Sequence, residues 1–315
     1  VILFVTLNPA IDFTVYGRSF EPRRTNRGRD AAPDPGGKGN NAARIARLLG
    51  AKTLATGFLG GFTGDFIASE LEREGIRARF HPIKGLTRIT VAFVEEEGAH
   101  AETKIVPQGP EISSKEREGF LRRFGRILKS GKPKAVALCG SLPAGLPEDF
   151  YAVLIDIAKS HGVPAILDSS GKALEQGLRG DPFMIKPNLD EAAELVGSRD
   201  EDTIYAAMRE HARRTGVVAL SLGSRGAAFF TSTRVLRVSV AEGGEGAGPI
   251  NAVGAGDAFV GGFCASLDLH GFDEERAFAW AVAAGYCTAH SQGVLWPADA
   301  FSRALDRVIV EEFPA

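Results

Sequence analysis

Between Lys134 and Gly223 the chain alternates short apolar runs with longer amphipathic ones. "KAVALCG" is apolar and partly β-branched, which predicts a buried strand. "LPEDFYAVLIDIAKSHG" then carries Phe150, Leu154, Ile157 and Ala158 at helical spacing until Gly162 ends the pattern. The alternation returns in "VPAILDSSG" with "KALEQGLRG", in "PFMIKPN" with "LDEAAELVG", and in "TIYAAMREHARRTG" before "VVALSLG". Repeated strand–helix units of this kind specify a mostly parallel, doubly wound sheet with helices on both faces and right-handed crossovers. Ligands in such sheets bind beyond the carboxyl ends of the strands. Those ends read "CGSLPAG", "DSSG", "KPN" and "SLGSRG", small or polar residues suited to lining one crevice.

Two segments break the alternation. "IDFTVYGRSFEPRRTNRGRDAAPDP" and "TRITVAFVEEEGAHAETKIV" are strand-like, with a hairpin signal at Glu97-Gly98 and no helical period. They predict a small β lid, formed by about 10–35 and 86–107, over the strand ends, where closure excludes water. The other reading is an edge extension of the main sheet. Ile89, Val91 and Phe93 alternate as exposed apolar positions in a sheet too small to stand alone, which predicts pairing of two lids in a homodimer.

Composition narrows the class. At 315 residues, 44% hydrophobic and 24% charged, the chain is expected to form a single domain over 1–315 with a well-buried core. The formal charge of −2 gives no general nucleic-acid surface, and the basic run "EPRRTNRGR" reads as a solvated loop. No apolar run reaches the roughly 18 to 20 residues of a membrane span, and the apolar start "VILFVTLNPAID" lacks the basic region of a leader, so the expected location is cytoplasmic. Cys139, Cys264 and Cys287 form no CxxC pair and read as core thiols; the six His residues show no metal spacing.

Two glycine-rich stretches carry the candidate chemistry. In "DPGGKGNNAARIARLLG", Gly36, Gly37 and Gly39 precede a helix with Ile45, Leu48 and Leu49 on one face. Close approach of a polar ligand to that backbone is one reading, with Lys38 adding charge; a flexible loop is the other. Asn40 and Asn41 either cap the helix or turn to sugar hydroxyls. It is not a Walker A loop. In "INAVGAGDAFVGGF", two glycines around an alanine leave backbone N–H groups uncovered at a helix N-terminus, which favours an anion. Asp257 there either caps the helix or accepts a proton from a substrate hydroxyl.

In order, "TLNPAID", "GGKGNNAAR", "ATGFLGGFTGDFI", "TRITV", "GSLPAGLP", "DSSGKAL", "IKPNLDEAAEL", "SLGSRGA" and "NAVGAGDAFVGGF" resemble the ribokinase-like carbohydrate kinases over nearly the whole chain. Within them the sequence is most similar to the 1-phosphofructokinase and tagatose-6-phosphate kinase branch. The resemblance implies the doubly wound fold with a β lid, ATP and Mg²⁺ as cofactors, and a sugar phosphate as substrate. It makes Asp257 the general base, with the amides of Gly254, Ala255 and Gly256 as the anion hole. It assigns Asp12 to a sugar hydroxyl, Gly37 and Asn41 to substrate contacts, and Lys38 and Arg88 to the substrate's own phosphate, for which Arg is geometrically suited. Asn188 and Glu191 would organise Mg²⁺, Glu191 otherwise being an ordinary first-turn acid. Lys186 would lie near the nucleotide phosphates, and Ser221, Gly223 and Gly226 would form the ATP turn.

The expected reaction is ATP-dependent conversion of fructose 1-phosphate to fructose 1,6-bisphosphate. The alternatives are a tagatose-6-phosphate or fructose-6-phosphate 1-kinase and, in another class, a catalytically silent sugar-phosphate sensor, which has no need of a base. An oxidoreductase is disfavoured by the missing dinucleotide fingerprint. Asn40, Thr90, Ala252, Tyr286 and "VPQGPE" depart from the branch's usual residues near the sugar, cation and adenine sites.

Overall fold

A computed structural model describes residues 1–30, 33–95, 102–241, 253–291 and 293–313. Within them an 11-stranded sheet forms the centre of the molecule. Its parallel part runs Arg77–Ala78, Thr53–Leu59, Ile2–Thr6, Ala135–Cys139, Ala165–Asp168, Met184–Ile185 and Val217–Ser221. Beyond Val217–Ser221 three antiparallel strands, Ala227–Thr231, Val235–Val240 and Val308–Phe313, extend one edge. Periodicity had identified the parallel units, not this antiparallel edge.

Helices cover both faces, and each face buries its own apolar cluster. Leu3, Val5, Leu138, Leu167 and Ile185 point to one side with Phe120, Phe124, Phe150 and Tyr151. Ile2, Phe4, Ala137, Ile166 and Met184 point to the other with Phe229, Phe259, Phe263 and Phe278. Strands buried on both faces have no polar side, which is why they read as continuous apolar runs. No helix among the described residues is long and apolar enough to cross a membrane.

Among the described residues the two non-alternating segments form a separate 5-stranded sheet, so the edge-extension reading is overturned. Ala10–Gly17 lies parallel to Arg88–Glu95, which pairs antiparallel with Glu102–Ile105. The hairpin signal at Glu97-Gly98 lies outside the described residues, as does Ala252. Ile89 is exposed and Val91 half-buried, but Phe93 is buried, its ring 5.6 Å from that of Phe20. The expected exposed alternation stops there because the long loop after Gly17 folds Phe20 back onto it.

The helix Lys38–Leu48 corrects another expectation. Its buried face is built from Gly39 to Ala46, with Ile45 fully buried, whereas Leu48 is exposed. Small residues suffice because this helix packs almost backbone to backbone on the helix Ala255–His270. A Cβ on Gly261 would stand 2.7 Å from the Ala42 carbonyl oxygen, and one on Gly262 2.4 Å from that of Trp280. Helix Ala255–His270 is thereby wedged between Lys38–Leu48 and Glu274–Ala289. That wedge carries the beginnings of two helices to one place.

Candidate active site

The carboxyl ends of the parallel strands open onto the N-termini of helices Lys38–Leu48 and Ala255–His270, which lie side by side. Gly37 is the N-cap of the first, at φ 107°, and Gly254 the N-cap of the second, at φ 81°. Neither helix has a side-chain cap. A side chain at Gly37 would also collide with Thr6, 2.7 Å from its Cγ2. Asn40 does not cap: its amide donates to the Gly36 carbonyl and its oxygen accepts from Thr6, fastening the glycine loop to the end of the first strand. Asn41 does not cap either. Its Nδ2 donates to Asp257 Oδ2 at 2.9 Å.

Asp257 is 7% exposed and makes that bond instead of a cap. Burial pushes its carboxyl up from 3.8 to about 7; the nearby Asp168 adds to the rise, and the Asn41 bond and the charges of Lys38 and Lys186 oppose it. Around it the N–H groups of the first helical turn have no intrahelical partner, and the helix dipole favours negative charge there. Lys186 stands at the same turn: a Cβ on Gly256 would lie 3.3 Å from its Nζ.

Asp168 is the site residue that sequence reasoning passed over. It ends the strand Ala165–Asp168, is 1% exposed, and has Lys186 Nζ at 3.1 Å and Lys38 Nζ at 3.8 Å from its Oδ1. Asp168, then Asp257 and Glu191, hold the Lys38 ammonium well above the usual lysine range. The signal was a carboxylate closing the otherwise apolar "AILD" at a strand end.

On the neighbouring flank, Asn188 and Glu191 form a reciprocal capping box on helix Leu189–Val196. Glu191 Oε2 accepts from the Asn188 N–H at 2.9 Å, and Asn188 Oδ1 accepts from the Glu191 N–H at 2.8 Å. Asn188 bridges to Ser221, which brings "KPN" beside the "SLGSRG" turn. Gly223, at φ 62°, has open space around its missing side chain. Gly226 is there for packing, since a Cβ would stand 2.1 Å from the Val238 carbonyl oxygen.

Two of the residues expected to meet the sugar phosphate, Asp12 and Arg88, lie on the small sheet. Asp12 packs against Gly36, where a Cβ would meet Asp12 Oδ2 at 2.0 Å. Burial raises the Asp12 pKa, with Lys104 the foremost opposing charge and Asp34, Arg88 and Arg44 also in range. Lys104, on Glu102–Ile105, had not been singled out. Arg88 is already engaged: Nη1 donates to the Pro107 carbonyl at 2.8 Å and Nη2 to that of Asn8 at 2.9 Å. Lys38 and Arg88 have different charged neighbours, Asp168, Asp257 and Glu191 for the first and Asp12 for the second. Tyr286 stacks on His290 with ring centroids 4.0 Å apart, and Arg307 lies over the Tyr286 ring.

A doubly wound sheet with a separate small sheet at its strand ends is the architecture of ribokinase-like sugar kinases. The profile of the pfkB family carbohydrate kinases matches residues 5–299, and the chain belongs to that family. It is similar to a possible 1-phosphofructokinase of Thermotoga maritima, with 27% identity over 99% of both chains and a TM-score of 0.86. It is also similar to phosphofructokinase-2 of Escherichia coli solved with substrates and products, with 26% identity over 97% of this chain and 98% of that one and a TM-score of 0.85. The tetrameric inhibited form of the same enzyme matches at 25% identity over the same shares, with a TM-score of 0.83.

The raised Asp257 pKa has a consequence for stability. The folded state holds this proton more tightly than the unfolded chain, so between 3.8 and about 7 the protein loses stability as pH rises. At roughly 1.4 kcal/mol per unit, the cost above pH 7 is up to about 4 kcal/mol. Asp257→Asn removes the charge and keeps the acceptor for Asn41. Its stability relative to wild type in urea unfolding is therefore expected to climb from pH 4 to pH 7 and level off above. A stability difference that does not change with pH would contradict a buried, titrating Asp257.

Proposed function

We propose that the protein is an ATP-dependent kinase of a phosphorylated ketohexose, converting fructose 1-phosphate to fructose 1,6-bisphosphate. The observation that carries the reading is Asp257, a buried carboxylate aimed by Asn41 and pushed up to about 7 at a helix N-terminus that it does not cap. A base is most useful when its pKa lies near the working pH. Asp257 takes the proton of the sugar's C6 hydroxyl as that oxygen bonds to the γ-phosphorus, and ADP leaves with the electrons of the broken bond. Charge in this loose transition state sits on the equatorial oxygens of the phosphoryl group. The amides of Gly254, Ala255 and Gly256 and the ammonium of Lys186 receive it there.

Asp12 holds a sugar hydroxyl, Gly37 and Asn41 border the sugar, and Arg88 meets the substrate's own phosphate with the N–H groups not already given to Asn8 and Pro107. Lys38, expected beside Arg88, has its ammonium among Asp168, Asp257 and Glu191 and so serves the phosphoryl-transfer end instead. Ser221, Gly223 and Gly226 shape the turn over the nucleotide. The small sheet acts as the lid. For Mg²⁺, the capping box leaves Glu191 Oε1 uncommitted, and no three acidic, His or Cys side chains cluster among the described residues. That donor set fits an ion which keeps most of its water and asks for few protein oxygens, with Asn188 and Glu191 holding it. Bound there, Mg²⁺ supplies charge neutralisation on the nucleotide phosphates.

Escherichia coli phosphofructokinase-2, which has also been solved with fructose-6-phosphate, supports as a second reading a fructose-6-phosphate 1-kinase. Coupled assays with ATP against fructose 1-phosphate, fructose 6-phosphate, tagatose 6-phosphate and free fructose separate these readings. Fructose 1-phosphate is expected to be the best substrate and free fructose a very poor one. No ADP from any of them would make the protein a sensor. Arg88→Ala is expected to weaken the sugar phosphate by about 1.5 to 3 kcal/mol, or roughly ten- to a hundredfold, with ATP affinity unchanged. An unaltered Michaelis constant and turnover would return Arg88 to tying loops.

Ile89, Ile105, Val106 and Leu86 expose an apolar face on and beside the small sheet. Two copies pair through it as a homodimer. Light scattering at micromolar concentration should give twice the chain mass; a monomeric mass would rule the pairing out.

A further inference from the structure

The Asp168 carboxylate is 1% exposed, and neither of its oxygens accepts a hydrogen bond from the described residues. A carboxylate buried that deeply is costly unless it is paired. What stands against it is a pair of ammonium groups, Lys186 Nζ at 3.1 Å and Lys38 Nζ at 3.8 Å, both on the side of Oδ1. Without the carboxylate these two cations would repel each other. Each is also tied to the reacting centre by a separate element. Lys186 leaves the end of strand Met184–Ile185 and lies against Gly256, while Lys38 opens the helix from which Asn41 aims Asp257.

We propose that Asp168 is a positioning residue for phosphoryl transfer, gathering the ammonium groups of Lys38 and Lys186 at the N-terminus of helix Ala255–His270, where the phosphoryl group passes. The inference rests on the kinase reading above. Asp168 touches neither substrate; it balances two cations in the free protein, and phosphate oxygens then take the ammonium hydrogens that point away from it. Lysine's flexible stem and freely rotating ammonium do not fix its direction, so an anchor is needed if alignment is to be rapid.

The same carboxylate acts on the base. The charged groups facing Asp257 are Asp168, Lys38 and Lys186, beside the neutral amide of Asn41. Around Asp168 stand those two lysines, Asp257, and the Cys139 thiol and Tyr151 hydroxyl, both held protonated by burial. Removing the Asp168 charge thus misaligns two cations and makes Asp257 a stronger acid.

The test is Asp168→Asn, which keeps the shape and loses the charge. Turnover should fall about a hundredfold, the scale of a 1 Å misplacement. The Michaelis constants for ATP and sugar phosphate should stay within about threefold, because the lysines remain. The acid limb of kcat/KM should move to lower pH by about a unit. A merely structural role would leave that limb in place. If Asp168→Asn does not fold, the same readouts are taken on Asp168→Ser. Turnover within about twofold of wild type, or a loss of turnover with the acid limb unmoved, overturns the inference. If that happens while Asp257→Asn is inactive, the inference alone falls; a wild type that phosphorylates no sugar phosphate overturns the kinase reading and this inference together.

Discussion

Asp257 carries a carboxylate into a place that is almost wholly shielded from water, and what makes that place is the contact of two helices through glycine. Gly261 lets helix Ala255–His270 approach Ala42 and Ile45 of its neighbour, and Gly262 lets it approach Trp280 on the other side. Only at that separation does Asn41 reach Asp257 at 2.9 Å. Phe259 meets the sheet through a stack with Phe229, which also faces Phe278 with centroids 3.9 Å apart. Truncating such rings typically costs about 3 to 5 kcal/mol. A well-packed core thus holds a locally unfavourable charge, the usual relation between stability and an active site.

The small sheet is coupled to the same place by polar contacts. Arg44, itself buried, binds Glu74 through two nitrogens at 2.7 Å and Asp34 at 3.1 Å, joining the glycine-loop helix to the strand that leads into it. Asn8 donates to the Gln108 carbonyl and to Ser141, and its own carbonyl accepts from Arg88. These bonds tie "VPQGPE" and Arg88 to the loop that follows the first strand of the main sheet.

Much of this was legible in sequence because it is local. Strand–helix alternation and the glycine loops each depend on a few neighbouring residues; the box at Asn188 and Glu191 is as local, but only the first-turn acid Glu191 was read there. What was not legible depends on convergence. Asp168, Lys38 and Lys186 meet from three separate elements, and no spacing rule links them. Asn40 and Asn41 are adjacent and alike in type, yet one fastens a loop and the other aims a carboxylate; only their angular positions on the helix separate the two roles. Phe93 alternates as an exposed strand residue should, and a distant Phe20 covers it. Asp257 itself was open between cap and base, and its acceptor bond to Asn41 is a long-range fact.

Whether Asp257 must lose its proton for the reaction to proceed is read from the pH dependence of kcat/KM in wild type and in Asp257→Asn. The wild-type rate should rise tenfold per unit on the acid side and level off near pH 7, the value to which burial pushes the carboxyl. Substrate phosphates titrate near a pKa of about 6 and contribute in both proteins. The limb near 7 should vanish in Asp257→Asn, along with about 10²- to 10⁴-fold of the rate. A wild-type profile flat through pH 7, or an Asn variant with the same limb and the same rate, would contradict Asp257 as the base.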